Sequence, residues 1–387
     1  MFGQVAAITM MNLRNVPARY GISSVIVVGI AGVVAVLVSL FSMAAGFRAV
    51  LLDTAHADRA IVMRAGTTNE MNGNITPDQR AVIAAMEGVE QASGELYVVA
   101  AIEKLGTDVT ANVVVRGVET ASFDIRDEVV ITNGRLFETG KAEIIVGQSA
   151  VGQFANLDLG DTLAVRGQSW TVVGHFASAG KVYESEIWAD LAIVQAAFRR
   201  GPTTSNMRLQ LSSADAIAPL NERLDADPRF DLVVRSEAEH YADQSESQAR
   251  LIEGFGTVVA LIMAIGAIFA ALNTMYSAVS ARTVEIATLR ALGFGNLPVV
   301  VSVLIEALFL ALIGGVLGGV LVWLAFDGYS ASTLNNASFS QVAFEFSVTP
   351  ALLTTGLTLA LVLGFVGGLL PALRAARMPV TVALRGE

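Results

Sequence analysis

Four long stretches of this chain carry almost no charge, and they limit its fold more than any other feature. Ile22 to Ala45 has 24 residues without a charge and Phe255 to Ala281 has 27. Leu297 to Phe326 is interrupted only by Glu306, and Ser347 to Leu373 has no charge at all. A helix of about 20 apolar residues crosses a hydrocarbon core of about 30 Å, so each stretch is long enough to span a membrane. Composition agrees: 53% of the 387 residues are hydrophobic, 16% are charged and the mean hydropathy is +0.59, too apolar for an ordinary soluble protein of this size. In the first stretch Ser42-Met43-Ala44 resembles a signal-peptide cleavage site. The apolar part is about twice the length of a signal core, however, and 21 residues precede it, so it is expected to remain as an anchor.

Lysine and arginine are retained on the cytoplasmic side of a membrane. Arg14 and Arg19 precede the first span, Arg282 and Arg290 lie between the second and third, and Arg374, Arg377 and Arg385 follow the fourth. Both ends are therefore expected inside, with residues 47–253 and a short loop near 327–346 outside. The outer segment holds 18 Lys+Arg against 30 Asp+Glu, a net of −12, which disfavours nucleic acid as a partner. Cysteine is absent, so there are no disulfides and no thiolate metal sites.

The outer segment alternates strand-like and helical runs. Strands are expected at Arg59–Arg64, Leu96–Ile102, Asn112–Gly117, Glu143–Val146, Thr162–Val165, Trp170–His175, Met207–Leu211 and Asp231–Val234. Thr76-Pro77-Asp78-Gln79 reads as a capped helix start, and helices are expected at Ala189–Phe198 and Ala214–Leu224. Glu237 to Ile252 reads as a polar helix running straight into the second span. The fold class is a membrane protein: four transmembrane helices with a large α+β extracytoplasmic domain inserted between helices 1 and 2.

Catalytic chemistry is scarce. His56, His175 and His240 are widely separated and read as ordinary surface or strand positions. There is no G-x-x-x-x-G-K-[ST] phosphate loop and no G-x-S-x-G elbow. Glu184 and Glu186 would share one face of a strand, which does not make them a hydrolytic pair.

The sequence between the second and third spans, SARTVEIATLRALGFGNLP (280–298), is a short charged helix. Val284, Ile286, Leu289, Ala291 and Leu292 form an apolar side, and Arg282, Glu285, Thr288 and Arg290 supply polar groups. Gly293 and Gly295 allow a turn, and Asn296 is placed to cap the third span with Pro298 in its first turn. Such a helix is either a lever for a cytoplasmic partner or a positive loop that fixes topology. Within the spans the polar side chains are Asn273 and Glu306; Glu306 is costly there and is expected to pair across helices, with Asn273 or the arginine-rich tail in reach. Gly314, Gly315, Gly318 and Gly319, and Gly364 with Gly368, make G-x-x-x-G patterns for close helix approach.

Five motifs in order resemble the permease subunits of the MacB/FtsX family of ABC transporters, which also includes lipoprotein-releasing and DevC-like permeases. They are NLRNVPAR with the first span and Ala45-Gly46-Phe47; EIIVGQSAVGQF with LGDTLAV and WTVVGHF; ALNTMYSAVSARTVEIATLRALGF; LIEALFLALIGGVLGG; and LPALRAARMPVTVALRGE. The resemblance covers nearly the whole chain. It implies an amphipathic cytoplasmic entry helix (1–20), spans at 21–46, 251–281, 297–325 and 348–373, and a MacB-like domain at 47–250. A cytoplasmic coupling helix at 282–296, a short outer loop at 326–347 and a cytoplasmic tail at 374–387 complete it. It further implies a non-catalytic subunit in the inner (plasma) membrane, working as a dimer with a second permease copy. ATP and Mg would be used by a separate cytoplasmic ABC ATPase, since only about 20 residues precede the first span, and no cofactor would be bound here. ATPase closure would move the outer domains and export or extract cargo, in contact with membrane lipid and with a periplasmic adaptor in some relatives. Arg282, Thr283, Glu285, Ile286, Leu289, Arg290 and Gly293 would form the ATPase-coupling site.

The alternative from another class is a membrane-anchored sensor or binding module that signals to a cytoplasmic partner. A secondary transporter fits less well, because broken-helix repeats and charged pathways are missing.

Overall fold

The computed structural model describes residues 2–15, 20–336 and 338–378; Arg19, Arg385 and the rest of the tail beyond 378 lie outside the described residues. The chain divides into two compact units, one formed by Met1–Ala45, Leu251–Tyr329 and Phe346–Glu387 and the other by Gly46–Arg250 with Ser330–Glu345. It begins with α1 (Phe2–Asn15) and α2 (Tyr20–Leu52).

The second unit is rich in sheet. In order it contains β1 (Arg59–Arg64), α3 (Pro77–Ala84), β2 (Val89–Glu103), β3 (Thr110–Val118), α4 (Ala121–Ile125), β4 (Val130–Gly134), β5 (Glu143–Gly147) and α5 (Gln148–Val151). It continues with β6 (Thr162–Val165), β7 (Gln168–Ala177), β8 (Glu186–Asp190), α6 (Leu191–Ala197), β9 (Asn206–Leu211), α7 (Ile217–Asp225) and β10 (Leu232–Ser236). The strands form one sheet in the order β10-β1-β9-β2-β3-β8-β5-β7-β4, with β6 added to β7. β3–β8 and β5–β7 are parallel and the other pairs antiparallel.

Two apolar cores support this sheet. Ala60, Val62, Leu209 and Val234 pack with Ile83 of α3 and with Leu220 and Leu224 of α7. Val98, Val115, Ile144, Trp170 and Val172 pack with Val194 of α6. Gly117 allows α6 to approach, because a Cβ there would lie 2.9 Å from Val194 Cβ and 3.2 Å from Leu191 Cα. α3 starts with the full capping box, Thr76 accepting from Gln79 N–H while the Gln79 side chain returns to Thr76 N–H.

β4 and β8 were not expected from the sequence. β8 is buried at all five positions, so it has no period-2 alternation to read. Glu184 and Glu186 do not share a strand. Glu184 lies in the 3-10 turn Val182–Ser185 and accepts backbone N–H groups from Ser178 (2.7 Å) and Gly180 (2.9 Å).

The chain continues as α8 (Glu237–Ser280), α9 (Thr283–Ala291), α10 (Asn296–Phe326), β11 (Ser330–Asn335), β12 (Ser340–Glu345) and α11 (Pro350–Arg377). Four helices are long and apolar enough to cross a membrane: Ser23–Leu52 within α2, then α8, α10 and α11. α8 is one helix of 44 residues, about 66 Å long at 1.5 Å per residue. The glycines are where the bundle helices meet. A Cβ on Gly314 would lie 2.8 Å from the Val27 carbonyl oxygen, and one on Gly318 2.5 Å from that of Ala31, both in α2. Gly315 and Gly319 face Ala360 and Leu353 of α11, and Gly364 and Gly368 face Ala311 and Ala307 of α10.

The expected loop at 326–347 is largely a hairpin, β11–β12, and belongs to the sheet-rich unit. Asn112 Nδ2 donates to Phe339 O (2.9 Å), Ala343 N to Ser185 Oγ (2.9 Å), and the Phe344 and Phe47 ring centroids are 5.9 Å apart. The expected cap on the third span is also corrected. Gly295 occupies the N-cap of α10 without a side-chain bond, so Asn296 is the first helical residue.

The topology can be read by labelling single cysteines in intact cells, since the native chain has none. Ser122 and Ser338 would be poor sites in the sheet-rich unit because both are buried; Thr107 and Asn336 are exposed, as is Thr288 in α9. An impermeant maleimide is expected to label Thr107→Cys and Asn336→Cys but not Thr288→Cys, and labelling of Thr288→Cys from outside would invert the topology.

Candidate functional site

α9 ends in a Schellman turn. Gly293, at φ +95°, takes the left-handed position that L side chains avoid, with Phe294 N donating to Leu289 O (3.1 Å) and Gly293 N to Arg290 O (3.0 Å). The helix is fastened to its neighbours by arginines. Arg282, the residue before its first turn, donates through Nη2 to Glu306 Oε1 in α10, and both side chains are buried. Arg290 donates through Nη1 to the Met378 carbonyl just beyond α11. Arg374 of α11 sits over the Tyr276 ring at 5.4 Å. On the α1 side, Asn12 Nδ2 donates to Ser302 Oγ of α10 at 2.6 Å.

Several expectations change here. Glu306 pairs with Arg282, not with Asn273 or the tail. Asn273 is exposed on α8, and its backbone carbonyl accepts from Ser277 Oγ (3.0 Å). Arg282 and Arg290, expected among the outward charges of α9, are both used internally. The apolar side is divided differently as well. Ile286 and Ala287 are buried and Leu289 partly so, whereas Val284 is 56% and Leu292 73% exposed. Thr283 Oγ1 turns back to Ser280 O (2.7 Å). The exposed face of α9 is therefore Val284, Thr288, Ala291 and Leu292, at i, i+4, i+7 and i+8, flanked by exposed Glu285. It is an apolar patch beside one carboxylate.

The sheet-rich unit holds a second polar centre, which sequence reasoning missed. Arg116 grips Glu186 with two bonds of 2.7 Å and gives Nη1 to both Glu70 and Glu95 at 2.8 Å. Arg126 meets Glu95, and Arg208 donates to Glu70 (2.9 Å) and to Glu237 (2.8 Å). All seven side chains are buried. Tyr241 OH reaches Tyr183 OH (3.1 Å), and His240 Nε2 lies 3.3 Å from Glu70. His240 is thus a buried helical residue, contrary to the surface or strand position expected. Burial alone would raise the Glu95 pKa, but the Arg126 and Arg116 guanidiniums prevail and hold it near 2. Glu70 is likewise lowered, Arg208 and Arg116 outweighing burial. Because Glu237, His240 and Tyr241 open α8, the cluster fixes the start of that helix to β9 and to the 3-10 turn before β8. A readable signal was present: Arg116 in VVVRGV and Arg208 in MRLQL are single charges inside otherwise uncharged strands.

Comparison with known proteins gives two family matches. Residues 23–227 match the MacB-like periplasmic core domain, and residues 257–380 match the FtsX-like permease C-terminal region. The macrolide export ATP-binding/permease protein MacB of Nitrobacter winogradskyi is 27% identical over 96% of this chain, which spans 58% of that protein's length. The MacB of Brucella abortus is 33% identical over 34% of this chain and 19% of its own. The ABC transporter permease YknZ of Bacillus subtilis is 24% identical over 79% of this chain and 77% of its own. Among solved structures, the periplasmic region of MacB from Actinobacillus actinomycetemcomitans aligns with a TM-score of 0.39 at 14% identity, covering 48% of this chain and 92% of its own.

The charge cluster makes the sheet-rich unit sensitive to acid. A carboxylate held near 2 against an ordinary 4.5 contributes stability above about pH 4.5 that is lost as pH falls toward about 2. Trp188 reports on it, since its Nε1 donates to Glu186 at 2.7 Å. Tryptophan fluorescence should show unfolding over that window. Arg116→Met, which strands buried carboxylates, should cost about 3–5 kcal/mol, and a loss under about 1 kcal/mol would mean that the cluster contributes little.

Proposed function

Since this chain belongs to the MacB/FtsX family of ABC transporter permeases, we propose that it is the membrane subunit through which a separate cytoplasmic ATPase moves the extracytoplasmic domain to export or extract a substrate. One observation carries this reading: α9 is bound on its inner side to α10 by Arg282–Glu306 and to the end of α11 by Arg290, while its outer face is the apolar patch of Val284, Thr288, Ala291 and Leu292 beside Glu285. A helix attached to two spans and bare on its far side can receive a load and pass it on. The attachment is stiff because Arg282 and Glu306 are buried, and separating them would leave two charges in an apolar setting.

Movement of the bundle has a covalent route outward. α8 runs without a break from Glu237 to Ser280, and its first turn is held by Arg208 and Glu70. A tilt or rotation of this helix would act on the sheet through those contacts. In this reading both termini are cytoplasmic, the membrane is the inner (plasma) membrane, and the chain works with a second permease copy. ATP and Mg belong to the partner ATPase; an adaptor protein and membrane lipid would complete the setting. Export of macrolides is named for MacB relatives, and a hydrophobic small molecule is the first substrate class to try.

Two measurements test this. The purified chain alone should hydrolyse no ATP, its sequence having no phosphate-binding loop, and turnover by the verified-pure chain would overturn the reading. Glu285→Arg combined with Leu292→Asp should abolish copurification of the ATPase while leaving membrane insertion intact, because mismatched charge at an interface costs several kcal/mol. Wild-type ATPase binding by this double variant would mean that α9 is only a connection.

A further inference from the structure

α11 turns one face outward along its second half. Val362, Val366 and Leu370 are exposed, and Arg374 and Arg377, which follow them, are exposed as well. At 3.6 residues per turn these five side chains fall within about a third of the helix circumference. Beside that face α11 meets α8, where a Cβ on Gly367 would lie 2.7 Å from Ala271 Cβ. In a membrane the neighbours of such an apolar face are acyl chains, and here the face runs straight into two cations.

The cations select the headgroup. Arg282 and Arg290 are consumed within the protein, by Glu306 and by the Met378 carbonyl. Arg374 and Arg377 make no ion pair and no hydrogen bond among the described residues. Arg374 instead sits over the Tyr276 ring of α8 at 5.4 Å, which holds it along the helix surface and leaves its N–H groups unused. The Tyr276 hydroxyl is likewise without a partner among the described residues. Tyr276 stands four residues, about 6 Å, before the end of α8 at Ser280, and Arg374 three residues before the end of α11 at Arg377. Both stop short of the helix ends, at the headgroup depth where tyrosine and arginine gather.

We propose that Arg374, Arg377 and Tyr276 bind the phosphate of an anionic phospholipid of the inner leaflet, whose acyl chains lie along Val362, Val366 and Leu370. Guanidinium forks match phosphate oxygens in pairs, and the phenol O–H adds a further donor. A zwitterionic headgroup brings its own ammonium to the same place and gains less. An acidic patch on a soluble partner could meet the charges but not the apolar face that leads to them. The bound headgroup ties α8 to α11 on their lipid side. The inference rests on the transporter reading for its topology, which puts this end of α11 at the inner leaflet, and adds a ligand to it.

The purified chain, released from nanodiscs of equal phosphatidylglycerol and phosphatidylethanolamine, can be weighed with its bound lipids by native mass spectrometry. Wild type should retain phosphatidylglycerol in excess. Arg374→Gln combined with Arg377→Gln should weaken that retention about thirtyfold, at about fivefold for each arginine. Arg14→Gln, at an exposed arginine of α1, should change nothing. Unchanged helical circular dichroism would establish that the double variant still folds. Full retention by the double variant, equal retention of the two lipids by wild type, or an equal loss in Arg14→Gln would each overturn the proposal. ATPase copurification is scored in parallel. Its loss from the double variant with lipid retention unchanged would give these arginines to the ATPase and overturn the lipid site. A wild-type chain that binds its ATPase without preferring either lipid removes this site and leaves the transporter reading in place.

Discussion

An ion pair inside a membrane span depends wholly on the protein around it, because lipid offers neither charge nor hydrogen bonds. Glu306 is ten residues into α10, and Arg282 reaches it from the start of α9. That one contact decides where the short helix lies. With Arg282 drawn inward, Ile286 and Ala287 follow it to the buried side, and Val284, Thr288 and Leu292 are left outside. Gly364 and Gly368 let α11 close onto Ala311 and Ala307 of α10, the latter next to Glu306. A carboxylate that looks like an intramembrane site in the sequence is thus a fastening for α9.

The sheet-rich unit applies the same rule in a different place. Three guanidiniums and four carboxylates are buried among Tyr97, Tyr183, Trp188 and Tyr241. Apolar residues could fill that space at lower desolvation cost. What the charges add is direction, since a bidentate Arg116–Glu186 pair and the Arg208–Glu237 contact hold only in one geometry. The beginning of α8 is therefore set in angle as well as in position, which matters for a helix about 66 Å long.

Much of this was legible in the sequence. Charge-free runs gave the four spans, and the Thr76–Gln79 capping box and the period-2 runs gave most of the sheet, because these signals are local. β8 was invisible because burial at all five positions removes alternation, and the hairpin of 330–345 because its first strand, SASTLN, is mostly polar. At the α9 end, the residues that matter were visible as types but not as partners. Arg282 and Arg290 look like solvent-facing charges in a linear reading, and only the path of α10 and α11 shows that a carboxylate and a free carbonyl lie within their reach. Leu289 and Leu292 are equally apolar on paper, yet they fall on different sides once Arg282 sets the rotation of the helix.

The hairpin β11–β12 has a consequence for how the molecule is made. It joins the sheet-rich unit through Asn112 to Phe339, 227 residues apart, and through Ser185 to Ala343, 158 residues apart. A ribosome must therefore deliver α8, α9 and α10 before the unit that began at Gly46 receives its last two strands. Until then Phe47, whose ring the Phe344 ring meets edge-on at 5.9 Å, waits without that neighbour. Contacts of such long sequence separation carry a loop-closure cost, and these can be made only after α10 has been synthesised. A fragment cut at Arg250 would be a domain interrupted before its final step.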